Sequence, residues 1–262
     1  MDKASWGGVV IGLGGIVGGL LLEGGSISQV VQPTAAMIVF GGTLGAVLLQ
    51  FPLAVVLSAA GRLAHVFFQP DINLGERVGE LVEYAKRARR EGIVSLDAEL
   101  DQIQDPSLQK SLMLAVDGTE PQELRKLMEL DFENRAESEE KIPQVFESAG
   151  GFSPTIGIIG AVLGLIQVMQ HLDKIDEVGK GIAVAFVATI YGVGAANLFL
   201  LPVAGKLRIR IREEQVLREM TLEGVVSILE GMNPRMLETK LRGFVGEDQP
   251  EPVPKAVAEF AK

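Results

Sequence analysis

The sequence contains no cysteine and only two histidines, His65 and His171, in 262 residues. Disulfides and thiolate metal sites are thereby excluded, and two isolated histidines argue against a His-based metal or catalytic cluster. Basic charge is also in deficit, with a formal net charge of −10. A surface that neutralises phosphates must be basic, so nucleic acid is not an expected partner. No Ser/His/Asp, Cys/His or metal constellation is present to carry chemistry, and an enzyme is not expected. The most informative absence is local. Hydrophobic residues make up 47% of the chain and charged residues 22%, yet the charges fall almost wholly outside four long apolar runs. Such segregation marks membrane spans rather than a soluble core.

Each of these runs reaches the roughly 20 apolar residues that a bilayer crossing needs. The spans are expected at Ala4 to Leu22, at about Thr34 to Leu57 within the uncharged stretch 24–61, at about Ser148 to Gln170, and at Gly181 to Gly205. A cleaved signal peptide does not fit the first run, which has a lone Lys3 before it and another span after it. Lys and Arg then orient the chain. The segment 23–33 has neither, and 172–180 has only Lys174 and Lys180 against Asp173, Asp176 and Glu177. Arg62 follows the second span, and Lys206, Arg208, Arg210 and Arg212 follow the fourth. Both termini and the segment 62–147 are expected in the cytoplasm, with the spans in an inner membrane.

An all-α membrane protein follows, with residues 1–61 a hairpin of two spans and 62–147 a helical cytoplasmic domain. Residues 148–205 hold the second pair of spans, 206–244 C-terminal helices, and 245–262, with Pro250, Pro252 and Pro254, a disordered tail. Within 62–147, Leu74, Val78, Leu81, Val82 and Ala85 recur at helical spacing until Gly92 breaks the pattern. Further helices are expected from about Val94 to Ile103 and from Ser107 to Val116. A long one should start near Thr119-Glu120-Pro121, with Thr119 as its cap, and bend at Pro143. The fourth span should continue as a helix from Lys206 to Leu229, and Asn233-Pro234 should restart a short one.

Gly8, Gly12, Gly15 and Gly19 stack on one face of the first span, and Gly157, Gly160 and Gly164 on the third. Small residues at this spacing let helices or subunits approach closely, although glycine is common in membrane helices generally. No span carries Asp, Glu, Lys or Arg, whereas an ion path normally needs an ionisable intramembrane group. Either the chain conducts nothing or a partner supplies that group. Polar candidates are Thr155, Thr189, Tyr191 and Asn197; for a single Thr, a bond to its own helix carbonyl is the plainer reading. Pro154 and Pro202 would each create either a hinge or a fixed kink.

The run Ser153-Pro154-Thr155-Ile156-Gly157-Ile158-Ile159-Gly160-Ala161-Val162-Leu163-Gly164-Leu165-Ile166 resembles the third-span signature of the MotA family of flagellar stator subunits. Ala188-Thr189-Ile190-Tyr191-Gly192, with Asn197 and Pro202, is similar to its fourth span. Arg89-Arg90-Glu91-Gly92-Ile93-Val94-Ser95-Leu96-Asp97 resembles its cytoplasmic motif, and the order of segments matches over essentially the whole chain. The resemblance implies a role in bacterial motility and chemotaxis, within a homopentameric ring around two MotB-type chains, each with one span and an essential Asp. That would account for the missing carboxylate. Ions passing the Asp would rotate the ring, whose cytoplasmic domain pushes on the rotor protein FliG. Pro154, Thr155, Ala161, Thr189 and Pro202 then fall on the ion path or its conformational switch. Arg89 and Asp97 fall on the rotor-facing charges, with Arg90 and Glu99 as adjacent candidates. The family more often has Glu at the Asp97 position, and from the residues alone any of these four charges reads as a solvated surface group.

Sodium-driven relatives place Thr where this sequence has Ala161 and Ala188. Methyl groups offer a dehydrating sodium ion no ligands, so the proton is favoured as coupling ion, with sodium the alternative through Thr189; no cofactor is expected. Energisers of the TolQ and ExbB type share the proline-glycine span, but they usually have three spans and another loop order. A stand-alone transporter should show inverted repeats or its own intramembrane charge.

Overall fold

Within a bilayer, every backbone polar group of an apolar run must be satisfied internally, and a helix does this inside one segment. The computed structural model describes residues 2–68 and 72–245, and all its regular elements there are helical. Helix α1 (Lys3–Leu22) is capped by Asp2, whose carboxylate accepts from the Ala4 and Ser5 N–H groups. A 3₁₀ turn (Ile27–Val30) leads to α2 (Pro33–Gln50) and α3 (Leu53–Phe68). Helix α4 (Leu74–Glu91), 3₁₀ turns over Ile93–Gln102 and α5 (Pro106–Val116) follow. Two long helices, α6 (Pro121–Gln170) and α7 (Ile175–Leu229), precede α8 (Pro234–Arg242). Helices α1, α2, α6 and α7 are long and apolar enough to cross a membrane.

The second expected span is corrected. Its helix stops at Gln50 instead of running to Leu57, because Pro52 biases the preceding residue away from the α region. Phe51 is accordingly extended, at φ −118° and ψ 145°. The cap of α6 also shifts, since Pro121 takes the first helical position and leaves Glu120, not Thr119, to accept from the Leu124 N–H. Other caps follow local chemistry: Asp105 precedes Pro106 on α5 and Asn233 precedes Pro234 on α8. Helix α6 stays helical through both Pro143 and Pro154. Two wide π-turns, Met37–Gly41 in α2 and Ala196–Leu200 in α7, were not foreseen.

The chain forms two compact units, Met1–Pro70 with Ser138–Arg210 and Asp71–Glu137 with Ile211–Lys262. The first has one core of Val47, Ala59, Val66, Ile142, Val145, Ala149, Val203 and Leu207, and another of Ala35, Val39, Val187 and Ala188. The second is centred on Leu81, Leu96, Leu108, Leu112, Leu124, Met128, Met220, Val225, Leu237 and Leu241. Gly224 lets α7 press on α4 there, since a Cβ on it would lie 2.7 Å from Leu81 Cδ1. Most of the expected tail, residues 246–262 of 245–262, lies outside the described residues.

Candidate functional site

The third-span motif sits where α6 crosses the first part of α7. A Cβ on Gly157 would stand 2.9 Å from the Ala188 carbonyl, and one on Gly164 would stand 2.8 Å from the Gly181 carbonyl. From the other side, a Cβ on Gly192 would meet the Ser153 carbonyl at 2.5 Å and the Pro154 Cα at 3.2 Å. Gly160 faces Ala188, which is fully buried. The two backbones therefore touch along several turns, as small residues permit in lipid. The glycine face of α1 is different. No residue of α1 is buried, and Gly8, Gly15 and Gly19 each have open space where a Cβ would project.

Pro154 is half-buried at this crossing, beside exposed Thr155, whose hydroxyl donates to the Phe152 carbonyl at 2.8 Å. Thr189 is half-buried and donates to Ala185 at 3.2 Å; Ala161 is half-buried as well. The exposed Asn197 amide donates to the Val193 carbonyl at 2.9 Å. Tyr191 ties α7 to the start of α2: its hydroxyl donates to the Val30 carbonyl at 2.6 Å and accepts from the Gln32 N–H at 3.2 Å. Phe40, within the α2 π-turn, stacks on its ring at 5.9 Å. Pro202 is exposed and, with Asn197 and Lys206, lines a cavity of about 410 Å³. Asp2, just ahead of α1, pairs with Lys206 and accepts from the Ser5 hydroxyl at 3.0 Å. Lys206 holds the Asp2 carboxyl well below the usual carboxylate range.

The charged motif lies in the other unit. Arg89 and Arg90 are exposed in the last turn of α4, where cations complement the helix dipole. Gly92 ends that helix at φ 88° and ψ 157°, a conformation that only glycine adopts freely. Asp97 is exposed on the 3₁₀ turns that follow. Neither Arg89 nor Asp97 has an ion-pair partner among the described residues. Glu99 differs, being half-buried and paired with Arg87.

This geometry accompanies close relatedness. The model of the MotA/TolQ/ExbB proton channel family matches residues 99–220, and that of the motility protein A N-terminal region matches residues 6–92. Motility protein A of Bacillus subtilis is 35% identical, over 92% of this chain and 90% of its own. The chain belongs to the MotA family. In the MotAB structure from C. jejuni, one chain superposes with a TM-score of 0.90 at 31% identity, covering 96% of this chain and 98% of that one. A chain of the flagellar MotAB stator complex from Bacillus subtilis gives 0.85 at 32% identity, over 99% and 100%.

Within this MotA-family chain, the expected ion-path residues Pro154, Thr155, Ala161 and Thr189 lie on α6 and the facing part of α7, while Pro202 lies further along α7. Arg89, Arg90 and Asp97 stand exposed within nine residues, and Glu99 is drawn inward. Sequence reasoning missed Arg87, because nothing local distinguishes it from its neighbours before the 3₁₀ turns fold back on α4. It also missed Asp2. A short polar residue just before an apolar run is a cap signal and could have flagged Asp2.

Proposed function

We propose that this chain is the ring-forming stator subunit of a flagellar motor. With a MotB-type partner of one span it forms an ion channel and converts ion flow into torque. One observation carries the reading: a MotA-family chain with a glycine-tight helix pair has no Asp, Glu, Lys or Arg in its four apolar runs. A channel in lipid needs such a group, and the partner's intramembrane Asp would supply it opposite Thr155, Ala161 and Thr189. The carboxylate takes a proton from one side, is neutralised, and releases it to the other. Pro154 and Pro202, each lacking a helix N–H, let the segments around them shift as that charge appears and disappears. Five copies form the ring, and Arg89, Arg90 and Asp97 present charge to FliG. The protein lies in the bacterial inner membrane with both termini in the cytoplasm, a topology that the basic flanks of the spans support.

Proton flux in cells or proteoliposomes tests this directly. The chain alone should not conduct, and co-expression with its partner should restore both flux and swimming. An Asp-to-Asn change in the partner's span should abolish both while the complex still purifies intact. Robust flux through the chain alone would overturn the shared-channel reading.

A further inference from the structure

Asp2 gathers more partners than a helix cap needs. Besides the Ala4 and Ser5 N–H groups and the Ser5 hydroxyl, its carboxylate pairs with Lys206 and lies 3.8 Å from the Arg210 guanidinium. Its own N–H donates to the Phe67 carbonyl at 3.0 Å, and the Trp6 ring packs on Phe67 with centroids 5.1 Å apart. The start of α1 is thus fastened both to the end of α3 and to α7, whereas no residue along α1 itself is buried. Both basic partners lie just past the least regular stretch of α7. The π-turn Ala196–Leu200 shifts the helical hydrogen bonds out of register, and Pro202 supplies no N–H to the turn before it. Helices bend at such places. Lys206 and Arg210 follow Pro202 at four-residue intervals, so all three share one face of α7.

The cavity of about 410 Å³ lies alongside, lined by Ser5 and Gly8 of α1, Phe67 of α3, and Asn197, Pro202 and Lys206 of α7. Further along α1, Gly12 meets the π-turn, where its Cβ would stand 3.4 Å from Leu198 Cδ2. Protein interiors are close-packed, so a cavity of this size against a bend gives the helix room to shift without displacing its neighbours. We infer that Asp2 is a positioning residue: its pairing with Lys206 and Arg210 is the fixed point against which residues 196–202 of α7 swing into the cavity as ions pass. The inference rests on the stator reading, in which α6 and α7 carry the ion path. A bend transmits force only against a fixed end; unpinned, α7 flexes without driving the rest of the helix. Thr155, Ala161 and Thr189 are not among the partners of Asp2, so ion passage itself does not need the clamp.

The test uses the full chain with its partner, reading proton flux in proteoliposomes and torque in tethered cells. Asp2→Asn keeps the cap, since Asn caps helices as well as Asp does, but removes the charge that holds Lys206 and Arg210. The ring should still assemble and flux should stay within about two-fold, while torque falls about five-fold, because a small misplacement far from the chemistry can be costly. Lys206→Gln should do the same, and the double variant should be no worse than either, as members of one pair behave. Gly8 lines the cavity with nothing within 4 Å of a Cβ, so Gly8→Leu should fill the space and stop flux and torque together in an intact ring. The sequence has no cysteine, so a bis-maleimide can join Asp2→Cys to Lys206→Cys alone and should restore the torque which those substitutions remove. Natural torque in Asp2→Asn, parallel loss of flux and torque there, loss of its ring, or crosslinked chains that stay stalled would overturn the inference. So would unchanged flux and torque in Gly8→Leu. Absence of flux from the natural complex would overturn the stator reading, and this inference with it.

Discussion

Two glycines two residues apart separate packing from propensity. A Cβ at Gly192 would fall 2.5 Å from the Ser153 carbonyl and 3.1 Å from the Gly157 Cα, backbone atoms that cannot move aside singly. Gly192→Ala should therefore cost about 1–3 kcal/mol, as overpacking does, and lower the unfolding temperature of the detergent-solubilised oligomer. Gly194→Ala meets nothing and should be neutral or stabilising by up to about 1 kcal/mol, through helix propensity alone. The charged motif divides in the same way. Arg89→Glu touches an exposed side chain with no ion-pair partner among the described residues, so stability should stay within about 0.5 kcal/mol. Torque measured by swimming or tethered-cell rotation should fall while ring assembly persists. Glu99→Gln releases Arg87 and should instead lower thermal stability by up to about 1 kcal/mol. Loss of assembly in Arg89→Glu would make that residue structural.

Among the elements of the second unit, α6, α7 and α8 meet at one carboxylate. Glu223 on α7 accepts from Arg125 on α6 at 2.8 Å and pairs with Lys240 on α8. Burial pushes its carboxyl upward, but the hydrogen bonds from Lys240 and Arg125 outweigh this and hold it below its ordinary value. A depressed carboxylate contributes stability that is fully present above the unfolded-state pKa of about 4.3 and is lost as pH falls through the folded value. Glu223→Gln should thus unfold at a lower temperature than the natural sequence at pH 7. The gap should narrow as the pH drops below about 4.5; a gap independent of pH would mean that the contact acts through packing alone. None of this junction was legible in the sequence, because the three residues are far apart in the chain. The helices themselves were legible. Pro106, Pro121 and Pro234 at first-turn positions and the apolar period of Leu74, Val78, Leu81 and Val82 are local signals. The break at Pro52 was equally local, but the uncharged stretch around it concealed it. The π-turns at Met37–Gly41 and Ala196–Leu200 carry no residue signature, since they answer to packing against neighbouring helices.

At the scale of the whole molecule, the membrane unit could be read from where charge is missing, whereas the proton expectation rests on two methyl groups that the sequence weighs equally. The structure weighs them differently. Ala161 is half-buried, so added atoms there are only partly enclosed. Ala188 is fully buried beneath Gly160, where even a Cβ on that glycine would come within 2.8 Å of the alanine methyl. The natural pair offers no oxygen ligands for sodium, and the Thr189 hydroxyl, which donates to the Ala185 carbonyl, adds a single oxygen where a hard cation needs several. Swimming speed in the natural motor should therefore follow the proton-motive force and ignore external sodium. Ala161→Thr alone should preserve assembly and leave that dependence unchanged, since a hard cation needs several oxygens to replace its hydration shell. Ala188→Thr should cost about 1–3 kcal/mol by forcing α6 and α7 apart, visible as a lower unfolding temperature. Regaining motility in the double variant should then require a compensating change at the helix crossing, and speed that tracks sodium in the natural sequence would overturn the proton assignment.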